Sequence, residues 1–124
     1  MQFHGFIWAG LFVEDLEACV SFYKDVLGLP LLRKRNDTAY FDIANGALLE
    51  LMKGGKASQL PKEPDQQPLV LGLRVENLEN AILELKQKGV LFIGEAGEYK
   101  GTRWAQFSDP EGNRLEIKQV PTTA

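Results

Sequence analysis

Gly101-Thr102-Arg103-Trp104-Ala105-Gln106-Phe107-Ser108-Asp109-Pro110-Glu111-Gly112-Asn113-Arg114-Leu115-Glu116-Ile117 reads as two strands joined by a tight turn and closed by a carboxylate. Asp109 suits position i of a type I turn because its side chain bonds the local backbone. Pro110 presets φ at i+1, and Gly112 fits i+3. An earlier stretch repeats this hairpin: Ala39, Phe41, Gly46 and Leu49-Glu50-Leu51 match Ala105, Phe107, Gly112 and Leu115-Glu116-Ile117 at a constant offset of 66. Upstream, Val13-Glu14-Asp15-Leu16-Glu17 matches Val75-Glu76-Asn77-Leu78-Glu79 at an offset of 62. The four-residue difference places an insertion before the last hairpin, around residues 94–100.

The elements between these anchors repeat in the same order. Residues 3–13 read as a strand whose two faces are both apolar and both covered. Asp15 is the N-cap of a helix that carries Leu16, Cys19, Val20, Tyr23, Val26 and Leu27 at helical spacing, and Gly28 ends it. Strands follow at 31–35, 38–43 and 47–53. Residues 54–68, with Gly54-Gly55 and Pro61, Pro64 and Pro68, read as a linker or mobile loop. The order then restarts with a strand at 69–75, an N-cap at Asn77, a helix stopped by Gly89, and strands at 90–93, 102–108 and 114–119. Residues 120–124 are expected to be a frayed tail. The expected class is α+β: two βαβββ modules in tandem, 1–53 and 69–119, within one domain.

Composition narrows the function. A chain of 124 residues with 44% apolar content supports one hydrophobic core. Its net charge of −3, with 14 Lys and Arg scattered along the sequence, argues against nucleic acid as a partner. The apolar run at 3–13 is about a third to a half of a membrane span and has no basic residue before it, so neither a membrane anchor nor a signal peptide is expected. The single Cys19 cannot form an internal disulfide, which suits a reducing cytoplasm.

One helix covers one side of a four-stranded sheet and leaves the other side open. If Phe41, Leu49 and Leu51 pack on the helix, even-numbered strand positions face the open side. These include Trp8, Phe12, Tyr40 and Glu50 in the first module. The second module supplies Val70, Arg74, Trp104, Gln106, Arg114, Glu116 and Lys118.

The duplicated unit, the Val-x-Asp-Leu-Glu opening followed by Phe22-Tyr23 and Leu27-Gly28, and the closing Phe107-x-Asp109-Pro110-x-Gly112-Asn113-x-x-Glu116 resemble the vicinal oxygen chelate superfamily. That group contains glyoxalase I, bleomycin resistance proteins, fosfomycin-modifying enzymes and extradiol dioxygenases. The resemblance implies paired βαβββ modules forming a concave mixed sheet with helices outside, frequently in a homodimer. It also implies a divalent metal held by one first-strand and one last-strand residue of each module. The last-strand positions here are Glu50 and Glu116, whereas the first-strand positions, usually His, are Trp8 and Val70. His4, the only histidine, lies about 13 Å along the strand from Trp8.

No cofactor is therefore expected; the alternative is Mg, Mn, Fe, Ni or Zn on Glu50 and Glu116. The first functional reading is sequestration of a small aromatic or amphipathic molecule, as in bleomycin resistance proteins. Glu50 and Glu116 attract positive charge while Trp8, Phe12, Tyr40, Val70 and Trp104 give apolar contact. The second is catalysis by a lyase, isomerase or dioxygenase, with Glu50 or Glu116 as general base or metal ligand and Arg74 or Arg114 steadying an oxyanion.

Overall fold

In the computed structural model, which describes residues 1–121, the first half of the repeat folds as β1 (Trp8–Val13), α1 (Leu16–Ser21), β2 (Leu31–Lys34), β3 (Thr38–Ala44) and β4 (Ala47–Lys53). The second half follows as β5 (Leu71–Arg74), α2 (Leu78–Gln87), β6 (Phe92–Tyr99), β7 (Thr102–Ser108) and β8 (Arg114–Gln119). The strands pair as two four-stranded mixed sheets, ordered β1-β4-β3-β2 and β5-β8-β7-β6. The outer pairs β1–β4 and β5–β8 are parallel, and the rest are antiparallel. The chain divides into two compact units, Met1–Ala57 and the part from Ser58 onward.

Each helix begins on its expected cap. Asp15 Oδ1 accepts the Ala18 amide at 3.1 Å, and Asn77 Oδ1 accepts the Asn80 amide at 2.9 Å. These bonds satisfy amides that the first helical turn leaves without a carbonyl. Beyond Ser21 the first helix widens into a π-helical turn, Phe22–Val26, where the Leu27 amide reaches the Phe22 carbonyl at 3.0 Å. Gly28 then reverses the chain at φ +74°.

The inward face of each sheet is the expected one. Leu16, Cys19 and Tyr23 are buried with Phe41, Leu49 and Leu51 in the first unit. In the second, Leu78 and Leu85 are buried with Ala105, Phe107, Leu115 and Ile117. Alternation along a strand then sends the even-numbered side chains to the other face.

Several expectations need correction. The first strand starts at Trp8 rather than at residue 3, because its parallel partner β4 starts at Ala47 and Trp8 pairs with Leu48. Phe3, Phe6 and Ile7 precede it as exposed residues, so the run is not a strand covered on both faces. Likewise β5 spans only Leu71–Arg74.

The insertion at residues 94–100 extends β6 instead of forming a separate loop. Pairing shifts between Ile93, opposite Gln106, and Gly97, opposite Trp104, so a bulge takes up two of the added residues.

The irregular stretch is also tied down. The Gly54 and Gly55 amides bond the Val13 carbonyl, and the Ala57 amide bonds Glu14 Oε1. Ser58 and Lys62 donate their amides to the carbonyls of Glu111 and Gly112. Of the expected tail, residues 122–124 lie outside the described residues.

Candidate ligand-binding site

In the first unit, Gly10, Glu50 and Tyr40 lie side by side across β1, β4 and β3. Trp8, two residues before Gly10, lies on the same face and folds its indole across that glycine. A Cβ added to Gly10 would come within 2.4 Å of the ring. This placement lets Trp8 Nε1 donate to Glu50 Oε1 at 3.0 Å. Tyr40 is also hydrogen-bonded to Glu50, and that bond, with burial and the carboxylate charge, raises its phenol above the ordinary 10.0 against the opposing pull of Arg33 and Arg35. Among the described residues, no Lys or Arg forms an ion pair with Glu50. Trp8 and Phe12 are each more than half exposed, so this face presents aromatic surface beside an ionisable carboxylate.

Glu116, the repeat counterpart of Glu50, has different neighbours. Gln106 Nε2 donates to its Oε1 at 3.2 Å, and Lys118 Nζ lies 3.4 Å from its Oε2. Lys118 also stands 5.7 Å above the Trp104 ring, and Trp104 lies across Gly97 as Trp8 lies across Gly10. The cation beside Glu116 is therefore Lys118. Arg74 ends β5 on the exposed face, while Arg114 turns to the carbonyl of Lys62 and to Gln106. Arg103 points the other way and pairs with Glu79, whose carboxyl is held below its ordinary value by that hydrogen bond. Asp109 is a turn former: its Oδ1 accepts the amides of Glu111 and Asn113, and its Oδ2 accepts Asn113 Nδ2.

The structure adds Lys62 and Gln67 from the stretch read as a linker. Lys62 is buried, with its ammonium 2.8 Å from Asn113 Oδ1. Gln67 grips Arg114 from both sides, accepting its amide at 2.6 Å and donating to its carbonyl at 2.9 Å. Lys62 and Gln67 line an open pocket of about 400 Å³ within the second unit, together with Val70, Gln106 and Arg114. No local sequence pattern marks these partners, because they act across roughly fifty residues of chain.

The donor set does not fit the metal centre that the resemblance implies. At the first-strand positions, the indole of Trp8 offers an N–H already given to Glu50, and Val70 offers no lone pair. His4 is exposed in the segment before β1. Among the described residues, no group of three His, Cys, Asp or Glu side chains converges.

The chain belongs to the Glyoxalase/Bleomycin resistance protein/Dioxygenase superfamily, whose family profile matches residues 5–117. It is 31% identical over 120 residues to the uncharacterized protein YraH of Bacillus subtilis (strain 168), covering 89% of this chain and 94% of that one. It is 31% identical to the metallothiol transferase FosB of Lysinibacillus sphaericus (strain C3-41), with 85% and 74% covered. A glyoxalase/dioxygenase crystal structure from Nostoc punctiforme superposes with a TM-score of 0.79 at 19% identity, covering 95% of this chain and 92% of that one. These likenesses agree with the tandem α+β fold. No described helix is long and apolar enough to cross a membrane.

Proposed function

We propose that this protein binds a small cationic aromatic or amphipathic molecule and sequesters it, as the resemblance to bleomycin resistance proteins implies. The observation that supports the reading is Glu50: its hydrogen bonds come from Trp8 and Tyr40, both neutral aromatic donors, and no Lys or Arg among the described residues pairs with it. A ligand cation supplies the missing charge while its flat part stacks on the aromatic faces. Phe12 extends the apolar contact. Val70, Arg74, Trp104, Arg114 and Glu116 remain proposed ligand contacts in the second module. Tryptophan fluorescence titrated with a panel of cationic aromatic compounds tests this. Quenching that is lost in Trp8→Phe supports it, and no response to any compound contradicts it.

The same reading includes a homodimer in the cytoplasm, which sedimentation and cell fractionation test. Two relatives, the metallothiol transferase FosB and a probable lactoylglutathione lyase of Vibrio cholerae, favour an enzymatic alternative on Glu50 and Glu116. Metal analysis of protein purified without chelator separates the two. Stoichiometric Mg, Mn, Fe, Ni or Zn that disappears in the Glu50→Ala, Glu116→Ala double variant would replace the sequestration reading.

A further inference from the structure

In the first unit the row formed by Gly10, Glu50 and Tyr40 continues onto β2, where Arg33 is the register partner of Tyr40. Simple alternation from Leu31, which pairs with the buried Phe41, would put Arg33 on the helix side. A bulge prevents this. Pairing shifts between Leu31 and Arg33, so Leu32 is the extra residue and the phase of the strand reverses. Three consecutive basic residues are thereby sorted between the two faces. Lys34 pairs with the buried Ala39 and forms an ion pair with Glu17 of α1. Arg35, whose amide bonds the Thr38 carbonyl, follows Arg33 on the open face. Both arginines are exposed, and neither forms an ion pair among the described residues. Both also act on Tyr40, where their charge opposes the upward shift from the hydrogen bond to Glu50.

We propose that Arg33 and Arg35 set the specificity of the Glu50 face by selecting a zwitterionic ligand, an inference that rests on the cation binding proposed above. The ligand's cation lies at Glu50 and its acidic group at the arginines, with its ring between them over Tyr40. Two strand spacings, about 9.5 Å, separate the Glu50 and Arg33 positions. One aromatic ring between the two charges covers most of that span, and the long arginine side chain reaches the rest. A guanidinium fork donates to both oxygens of a carboxylate, whereas a second positive charge at that end of the ligand is repelled.

Calorimetric titration of the full chain compares 4-(trimethylammonio)benzoate with 4-(trimethylammonio)benzamide, which keeps the cation and the ring but has a neutral far end. At low salt the benzoate is expected to bind about three- to fivefold more tightly, the range of an exposed charge pair, and added salt is expected to shrink that margin. Arg33→Gln is expected to remove most of it while leaving benzamide affinity unchanged or slightly tighter. Lys34→Gln makes the same change in net charge on the opposite face and is expected to leave the margin intact. Equal binding of the two probes by wild type would overturn the proposal. So would a margin that survives in the Arg33→Gln, Arg35→Gln double variant, or one that Lys34→Gln removes as fully as Arg33→Gln does. Glu50→Gln is expected to weaken both probes alike. If it weakens neither, or if neither probe binds wild type, the cation reading fails and this proposal with it. If it weakens both and the benzoate has no margin, this proposal fails alone.

Discussion

Trp8 Nε1 donates a hydrogen bond to Glu50 Oε1 at 3.0 Å, from a first-strand position where the family commonly places a metal-binding imidazole. The two positions at which the resemblance implies metal ligands here hold a donor and an acceptor. An indole N–H cannot ligate a cation, but its ring can stack on one.

The arrangement depends on Gly10, over which the indole lies. Gly10→Ala puts a methyl group where the ring is, so Trp8 must swing away from Glu50. The expected outcome is a shifted tryptophan emission and weaker ligand binding. Stability stays within about 1 kcal/mol of wild type, because alanine is no worse than glycine in a strand interior. Emission spectra and urea denaturation measure the two effects separately.

Tyr40 reports on the same carboxylate. Its pKa is raised, chiefly by the hydrogen bond to Glu50, so the fold favours the neutral phenol. The stabilisation from this shift is complete below the unfolded phenol value of 10.0 and is lost as pH rises through the higher folded value. In Glu50→Gln the Tyr40 titration should move down towards 10.0, as read by absorbance of tyrosinate against a Tyr40→Phe control. An unchanged titration contradicts the contact.

Much of the fold was legible because local chemistry and tertiary pairing agree. The Asp15 and Asn77 caps, the Asp109 turn and the inward phase of Phe41, Leu49, Phe107 and Leu115 all follow from residue type and period. The length of β1 was not legible, since it depends on where β4 begins. The extension of β6 was also missed, because Gly94, Glu95, Ala96 and Gly97 look like a loop and become a strand only by pairing with β7. For the site, the phase argument placed Trp8, Tyr40 and Glu50 on one face. It could not supply Lys62, Gln67 or the Lys118–Glu116 pair, which depend on side-chain reach and on contacts distant in sequence.

Two glycines with positive φ separate backbone strain from steric fit. Gly28 has φ +74° and nothing within 4 Å of an added Cβ, so Gly28→Ala should cost about 1–2 kcal/mol. At Gly112, φ is +81° and the added Cβ would lie 2.4 Å from the Leu60 carbonyl oxygen. Gly112→Ala should therefore cost at least about 1 kcal/mol more than Gly28→Ala in urea denaturation. Equal losses contradict the close approach of the 58–62 segment to the turn.

Lys62→Met keeps most of the buried stem but removes the ammonium from Asn113 Oδ1. The unpaired carbonyl should cost about 1–3 kcal/mol. Hydrogen exchange should accelerate at the amides of Ser58 and Lys62, which bond to Glu111 and Gly112. Unchanged protection at both amides contradicts a clamp formed by Lys62.

The central claim is that Glu50, which pairs with no Lys or Arg among the described residues, receives a cation from the ligand. Calorimetric titration of wild type and Glu50→Gln with phenyltrimethylammonium and its neutral isostere tert-butylbenzene tests this most directly. The account predicts that wild type prefers the cation and that Glu50→Gln weakens cation binding about tenfold or more while leaving the isostere unaffected. Equal binding of cation and isostere by wild type, or cation affinity unchanged in Glu50→Gln, would contradict it.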